Sequence, residues 1–480
     1  MATPLRDYQL GTLALHATAV RELRGSPRRA VLDVLPTGAG KTVTAMTRVH
    51  RVIQRGGRVL WLACLDILLG QAESNAQRFG IDPGRVQAGS HDISRALTIG
   101  SVQTVIRRLD RIPAGSFDLV VFDEAHRAMA PSSQAILAHF TAPEVMGLTA
   151  TPFRLDGKGL GDAGFGRIVA PVTPELLVDR GFLAPVAYWR AGKPDLSGLR
   201  RRAGEFTTDT AERVMAPGLA DVQRGILEHF SLGRIAVFPV SVAHSKALVA
   251  ALRDVGVDAH HIDAQTGSDE RERLLAPGGA HVVSSVGVLD EGVDAPGIAV
   301  VVLAAPTASA VRFLQRIGRG MRPKPGGAAC VVLDYGDNFS RHFFPTDDVR
   351  WMYDLDGAPP AEAAAKKAVS EGLLLLSCDA CGRVYKASSQ SSSCVWCGKD
   401  QEVAFLDAKV QLERVFAPRK ELVARSADEI EAGQAWRQAV AVASRRGYAE
   451  AMAVWERRTG APMADRKKMA WLRMRFPARR

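Results

Sequence analysis

Residues 36–42 read Pro-Thr-Gly-Ala-Gly-Lys-Thr, and these residue types suit a loop that wraps phosphate. Gly38 and Gly40 let the backbone approach an anion closely, its N–H groups point at the anion, and the N-terminus of a following helix adds favourable potential. Lys41 is expected to reach the β- and γ-phosphates of ATP and Thr42 to ligate Mg²⁺, with Thr37 in the same loop. The strict pattern Gly-x-x-x-x-Gly-Lys-Ser/Thr fails by one residue, because Leu35 stands where the first glycine belongs. A second cluster, Asp123-Glu124-Ala125-His126, follows the apolar run Phe117–Phe122. Carboxylates at the end of a buried strand lie where α/β proteins bind ligands. Asp123 is expected to hold Mg²⁺ and Glu124 to orient or deprotonate an attacking water, with His126 beside the nucleotide. Residues 315–322, Gln-Arg-Ile-Gly-Arg-Gly-Met-Arg, place Arg319 and Arg322 at the spacing of arginine fingers. Lys41, Glu124, Arg319 and Arg322 form the expected catalytic set: one ATP site built from two distant segments.

Segments so far apart need a scaffold to bring them together. From Arg6 to about residue 165, short apolar runs (Ala30–Leu35, Val59–Leu62, Leu119–Phe122, Val145–Leu148) alternate with helix-like or polar stretches. This alternation predicts a parallel sheet with helices on both faces. A second alternating block covers about 222–340, with strands at Ile235–Phe238, His281–Ser285, Ala299–Leu303 and Cys330–Leu333. Residues 191–220, rich in Gly, Arg and polar residues, read as a connector. The fold class is therefore α/β, with two tandem lobes.

The chain has 480 residues, enough for about three domains. No apolar run approaches the roughly 20 residues of a membrane helix, and the N-terminus lacks the apolar core of a signal peptide, so a cytoplasmic location is expected. Formal charge is +11, and residues 431–480 hold twelve basic against four acidic residues. A basic tail favours phosphate backbones. Within it Trp436, Tyr448, Trp455 and Trp471 interleave with arginines and lysines. Aromatics can stack on bases while cations pair with phosphates, although tryptophans in helices more often anchor a core.

In motif order, residues 5–340 resemble superfamily 2 helicases of the DEAD/DEAH-box kind, which implies two RecA-like lobes. Arg6-Asp7-Tyr8-Gln9 resembles the element whose glutamine, here Gln9, reads adenine. Gly100-Ser101-Val102-Gln103-Thr104 resembles a motif gripping the nucleic-acid backbone, which implies contacts from Ser101, Gln103 and Thr104. Leu148-Thr149-Ala150-Thr151-Pro152 is similar to the motif coupling ATP state to lobe movement. Val283-Ser284-Ser285 through Glu291-Gly292-Val293-Asp294-Ala295-Pro296 resembles a second-lobe motif touching strand and nucleotide, so Asp294 is implied at the nucleotide. Gln315, Gly318, Arg319 and Arg322 match the last motif, with Gln315 at the nucleotide and both arginines facing the γ-phosphate. Trp61–Asp66 departs from the pattern: Asp66 stands where a basic residue often meets the backbone, although Gln71 fits a nucleic-acid contact.

Four of six cysteines form two pairs, Cys378-x-x-Cys381 and Cys394-x-x-Cys397, each followed by glycine. Four thiolates at this spacing suit tetrahedral, structural Zn²⁺, with an iron–sulfur cluster as the rival. Cys64 and Cys330, in apolar stretches, read as buried small hydrophobes. A two-lobed core followed by a cysteine knuckle is similar to RadD-type DNA repair helicases, as are Pro174–Pro185 and Leu333-Asp334-Tyr335-Gly336.

The expected organisation is a first, ATP-binding helicase lobe at 1–165, a connector at 166–220 and a second lobe at 221–345. A linker at 346–372, a zinc-ribbon-like Cys₄ module at 373–402 and a basic helical tail at 403–480 follow. The expected function is ATP-dependent helicase or translocase action, DNA favoured over RNA, in repair or replication. Its rivals are an ATP-switched clamp without unwinding and the motor subunit of a restriction system. ATP, Mg²⁺ and Zn²⁺ are the expected small partners; protein partners would meet the zinc module or the tail.

Overall fold

The computed structural model describes residues 4–342 apart from 143, 153–159, 192–193, 203, 291–294 and 339–340. Beyond these it describes 345–346, 355–356, 374–378, 384–387 and 399. Strands apolar along their whole length must be covered on both faces, and parallel sheets flanked by helices do this.

The first half of the chain runs α1 (Asp7–Glu22), β1 (Ala30–Val34), α2 (Lys41–Ile53), β2 (Val59–Ala63), α3 (Asp66–Arg78), β3 (Gly84–Gln87), β4 (Ser90–His91), β5 (Leu97–Ser101), α4 (Val102–Arg107), β6 (Leu119–Asp123), α5 (Pro131–His139), β7 (Glu144–Thr149) and β8 (Phe165–Val169). These strands make one eight-stranded sheet in the order β4-β3-β5-β2-β6-β7-β1-β8. All neighbours pair in parallel except β3 with β4. β1 and β6 are buried at every position and are separated only by β7. Their C-terminal ends therefore open on the same edge of the sheet.

α6 (Pro174–Asp179) leads to β9 (Val186–Arg190), then to a short antiparallel hairpin, β10 (Arg201–Arg202) and β11 (Glu205–Phe206), and to α7 (Thr208–Met215). Next come α8 (Leu219–Glu228), β12 (Arg234–Pro239), α9 (Val242–Asp254), β13 (Ala259–Ile262), α10 (Ser268–Leu275), β14 (Val282–Ser285), β15 (Ile298–Ala304), α11 (Ala310–Gly320) and β16 (Cys330–Asp334). The second sheet is fully parallel, in the order β13-β14-β12-β15-β16-β9. Residues 166–220, expected as a connector, thus contain an edge strand of each sheet, β8 and β9. Val186-Ala187-Tyr188-Trp189-Arg190 reads as an isolated run, and only its pairing with β16 makes it a strand of the second sheet.

After the second sheet, β17 (Leu374–Ser377) and β18 (Val384–Ala387) pair in antiparallel fashion, and β18 lies beside β9. Cys378 follows β17 and is buried. Cys381, Cys394, Cys397 and the whole of 403–480 lie outside the described residues. Among the described residues no helix is long and apolar enough to cross a membrane.

Candidate active site

The phosphate loop leaves β1 and enters α2 through Gly40, whose φ is 81°; Gly38 has φ 85°. Both are left-handed conformations that glycine adopts at no steric cost. Leu35 belongs to an apolar cluster with Tyr8, Ala39, Leu183, Tyr188, Phe313 and Ile317, which come from both halves of the chain. That packing explains the departure from the strict glycine pattern: position 35 fills a core where the two sheets meet.

Gln9 lies against this loop. A Cβ on Gly40 would sit 2.6 Å from the Gln9 amide nitrogen. That nitrogen donates to the Ala39 carbonyl at 3.1 Å, as does the Tyr8 hydroxyl at 2.8 Å, and the Gln9 carbonyl oxygen accepts from Arg6 N at 2.9 Å. Gln9 therefore braces the phosphate loop. Around it, Tyr8 packs at a tilt against Phe182 with ring centroids 5.3 Å apart, Arg6 lies 4.6 Å over the same ring, and Asp7 pairs with Arg180 at 2.8 Å. A Cβ on Gly38 would meet Leu183 at 3.1 Å. Nothing in their residue types marks Arg180, Phe182 and Leu183 as site residues; the nearest sequence signal is the Pro174–Pro185 stretch that contains them.

β6 delivers the acidic pair. Asp123 Oδ1 accepts from Glu124 N at 3.0 Å, and Glu124 turns through a left-handed φ of 50°. The Glu124 carboxylate lies 3.3 Å from His126 Nδ1. The same nitrogen is 3.4 Å from the Thr149 hydroxyl, which donates to the Thr151 carbonyl at 3.0 Å. The acidic cluster is thus joined to the Leu148–Pro152 segment through His126. Burial works against the Glu124 charge, but the His126 hydrogen bond and the positive charges of Lys41, His126 and Arg319 outweigh it and hold Glu124 ionised. Burial and the Glu124 charge push the Asp123 carboxyl upward, opposed by Lys41. Burial lowers Lys41, against the attraction of Glu124 and Asp123 and with the repulsion of Arg319.

α11 brings the arginines across. Arg319 is buried and donates to the carbonyls of Leu289, at 3.0 Å, and Asp290, at 3.4 Å. It stands within electrostatic reach of Lys41 and Glu124. Gly318 abuts the phosphate loop: a Cβ there would sit 2.5 Å from Thr37 Cβ. A Cβ on Gly38 would lie 3.8 Å from the Arg322 stem. Lys41, Glu124 and Arg319 are thus brought within electrostatic reach of one another, with Gly318 of α11 and Arg322 just past its end close to Thr37 and Gly38 of the loop. The Gln315 carbonyl oxygen is buried without a hydrogen-bond partner among the described residues, so it can accept from a bound group. Asp294 lies outside the described residues.

Arg316, which carries no assignment in the sequence reading, makes a two-pronged pair with Asp290 at 2.6 and 3.2 Å and lies 5.2 Å over Phe238. The carboxylate of Asp290 thus holds α11 while its carbonyl holds Arg319. The available signal was an acid ahead of Glu291–Asp294 matched with an arginine inside the last motif.

Of the four residues implied at nucleic acid, Ser101, Gln103 and Thr104 sit together at the start of α4, each hydrogen-bonded within the chain. Ser101 caps α4, accepting from Thr104 N at 3.4 Å and donating to the Gln103 carbonyl oxygen at 3.0 Å. The Gln103 amide donates to the Cys64 carbonyl at 2.9 Å. Gln71 is half-buried on α3. Asp66 accepts from Gln87 at 2.9 Å.

The residues present fit Mg²⁺-ATP. Two left-handed glycines form a cradle, the buried Gln315 oxygen on the neighbouring helix has no hydrogen-bond partner among the described residues, and Asp123 bears repulsion from Glu124 that a divalent cation would relieve. When bound, Mg²⁺ would neutralise charge on the phosphates, held by Thr42 and Asp123.

Residues 3–154 match the family described as "Type III restriction enzyme, res subunit", and residues 221–324 match "Helicase conserved C-terminal domain". With the residues brought together at the site, these two matches support an ATP-hydrolysing helicase of the superfamily 2 kind. Among individual proteins, the chain is 27% identical over 382 residues to a "51.5 kDa protein" of a Lactococcus phage, covering 79% of this chain and 80% of that one. It is 27% identical to the "DNA 3'-5' translocase XPB2" of Sulfurisphaera tokodaii, covering 68% and 81%. A larger Saccharomyces cerevisiae relative is 28% identical, and the chain spans 52% of its length. In fold, it matches the structure titled "ATP-dependent Type ISP restriction-modification enzyme LlaBIII bound to DNA" with TM-score 0.51 and 18% identity, over 75% of this chain and 29% of that one.

Proposed function

We propose that this chain is a DNA-directed translocase or helicase in which ATP hydrolysis is gated by Arg319. The observation that carries the reading is that Arg319, from the second half, lies within electrostatic reach of Lys41 and Glu124, from the first. Lys41 binds the β- and γ-phosphates, Glu124 positions and deprotonates water, and Arg319 with Arg322 balances charge that builds in the transition state. Because the acid and the finger belong to different lobes, hydrolysis requires them to close. Nucleic acid lying across Ser101, Gln103 and Thr104 and the second lobe would favour closure, and hydrolysis would release it. The translocase name of the archaeal relative supports DNA over RNA. A role in DNA repair, in the manner of RadD-type helicases, and a structural Zn²⁺ on Cys378, Cys381, Cys394 and Cys397 complete the reading.

The restriction-subunit match over residues 3–154 favours a second reading, a motor subunit that serves a nuclease on another chain. ATP hydrolysis measured with single-stranded, duplex and forked DNA and with RNA, followed by strand displacement on the best activator, tests both. DNA stimulation with displacement is expected, and Glu124→Gln should abolish turnover. Duplex stimulation with translocation but no displacement favours the motor-subunit reading. Stimulation by RNA alone would sink both.

A further inference from the structure

The β10–β11 hairpin is absorbed neither by the ATP site nor by the helicase motifs. Arg200, Arg201 and Arg202 are all exposed there. Arg201 pairs across the hairpin with Phe206 and Arg202 with Glu205. The Arg201 guanidinium lies 5.0 Å over the Phe206 ring, and the Arg341 guanidinium lies 5.5 Å from the same ring. Arg312, also exposed, adds another positive charge nearby. The acids facing this group are Glu205 and, beside Arg200, Asp209. Among the described residues no ion pair takes Arg201 or Arg202. Cations gathered this way repel one another, and a chain of phosphates relieves that repulsion by neutralising several of them together.

A solvated arginine run needs no mounting, but this one is held. Glu205 accepts from the Thr307 hydroxyl at 2.6 Å and from Ala308 N at 2.7 Å, and it pairs with Arg312 at 3.4 Å. Thr307 and Ala308 immediately precede α11, whose N-cap is Ser309. The hairpin is therefore fastened to the start of the helix that carries Gln315, Arg316 and Arg319, roughly 15 Å from the finger at about 1.5 Å per residue. It also lies on a suitable edge. Every strand of the second sheet runs parallel, so the segments that follow β9 and β15 leave the sheet from its C-terminal edge, where such sheets bind ligands.

We propose that Arg200, Arg201 and Arg202 form a contact for the nucleic-acid phosphate backbone, and that Glu205 joins this contact to the arginine-finger helix. The inference rests on the proposed nucleic-acid motor and deepens it. Phosphates engaged by the hairpin pull on the N-terminal end of α11, so occupancy of the strand bears on where Arg319 sits. Glu205 is here a positioning residue, since its carboxylate is taken up by Thr307, Ala308 and Arg312.

The test uses the full chain, fluorescein-labelled single-stranded and duplex DNA, and salt from about 50 to about 200 mM. Replacing Arg200, Arg201 and Arg202 by Ala should weaken binding alike for unrelated sequences. It should flatten the slope of log affinity against log salt by about 2–3, at roughly 0.7–0.9 per contact. Should the triple variant fail to melt like the wild type, Arg201→Ala and Arg202→Ala singly should each remove about 0.7–0.9 of slope. Unchanged affinity and slope in folded variants would overturn the contact. Glu205→Gln should keep the DNA dissociation constant while lowering the DNA-stimulated kcat by roughly 5- to 150-fold, with little change in KM for ATP; full stimulation would overturn the link. Should wild-type hydrolysis ignore every nucleic acid, the motor reading fails, whereas the hairpin contact stands or falls on the binding slope alone.

Discussion

Arg319 shows how much a single side chain can depend on its neighbours. Its guanidinium is held by the backbone carbonyls of Leu289 and Asp290, so in the proposed finger role it is fixed before any nucleotide arrives. A pre-aimed cation costs no reorganisation when charge develops on the phosphate. Arg319→Ala should therefore reduce nucleic-acid-stimulated hydrolysis by roughly 10³–10⁵, the scale of other arginine fingers, while ATP affinity changes far less. Single-turnover hydrolysis beside equilibrium nucleotide binding checks this, and equal losses in both would argue against a finger. The position was legible because Gly318 must let the helix approach Thr37 and because arginines at 319 and 322 keep a recognisable spacing. Its aim was not legible: carbonyls carry no sequence signature, and the Arg316–Asp290 pair that fixes the helix joins residues 26 apart.

Between elements, the phosphate loop is steadied from beneath by a buried ionic cluster that the sequence did not announce. His16 on α1 meets Asp33 on β1 at 3.0 Å and Glu144 on β7 at 3.2 Å, and Arg48 on α2 reaches Glu144 at 2.7 Å. An imidazole bonded to carboxylates at both nitrogens is held as the cation. Burial opposes that charge, but Asp33 and Glu144 outweigh it and raise His16 from 6.5 to about 9. Burial likewise opposes ionisation of Glu144, yet His16 and Arg48 lower it from 4.5 to about 2. Asp33 is shifted upward, chiefly by burial. The signs then differ. The His16 contribution to stability is whole below pH 6.5 and is lost as pH rises toward about 9; that of Glu144 is whole above pH 4.5 and is lost as pH falls toward about 2. Melting temperature should accordingly drop between pH 6.5 and about 9. His16→Ala should flatten that decline and cost about 3–5 kcal/mol, as when one partner of a buried ion pair is removed. An unchanged alkaline limb in the variant would assign the decline to another group.

Across the whole molecule, the two sheets are joined by more than a linker. Tyr8, Leu35 and Ala39 share one apolar cluster with Leu183, Phe313 and Ile317. Farther along, Asp356 reaches back to Arg28 at 2.7 Å, and the Leu355 carbonyl accepts from Gly161 N at 2.7 Å. Chain beyond the second sheet thus touches the first again. Cys378 directly follows β17, and the paired strand β18 lies beside the edge strand β9. A metal knuckle there would be anchored to the second sheet. Metal analysis of the purified chain should find about one zinc per molecule, and its removal should unfold the knuckle, since such sites supply roughly 10–16 kcal/mol. Zinc-free protein with an unaltered melting profile would remove the metal from the account.

What the sequence determined by itself was chemistry written in short segments. Gly38, Gly40, Lys41 and Thr42 carry the residue types of a phosphate loop, with glycine where the two left-handed turns favour it, and Asp123-Glu124 ends a strand too apolar to lie anywhere but inside. The alternating apolar runs likewise implied two parallel sheets, since each requirement is met within a few residues. Tertiary structure alone decided which groups face one another. It placed Leu35 in a core between the sheets, set Gln9 against Gly40, laid Phe182 on Tyr8, and assembled His16 with Asp33 and Glu144 across as many as 128 residues. Coulomb attraction and packing depend on distance in space, which the order of residues along a chain does not specify until the sheets have formed.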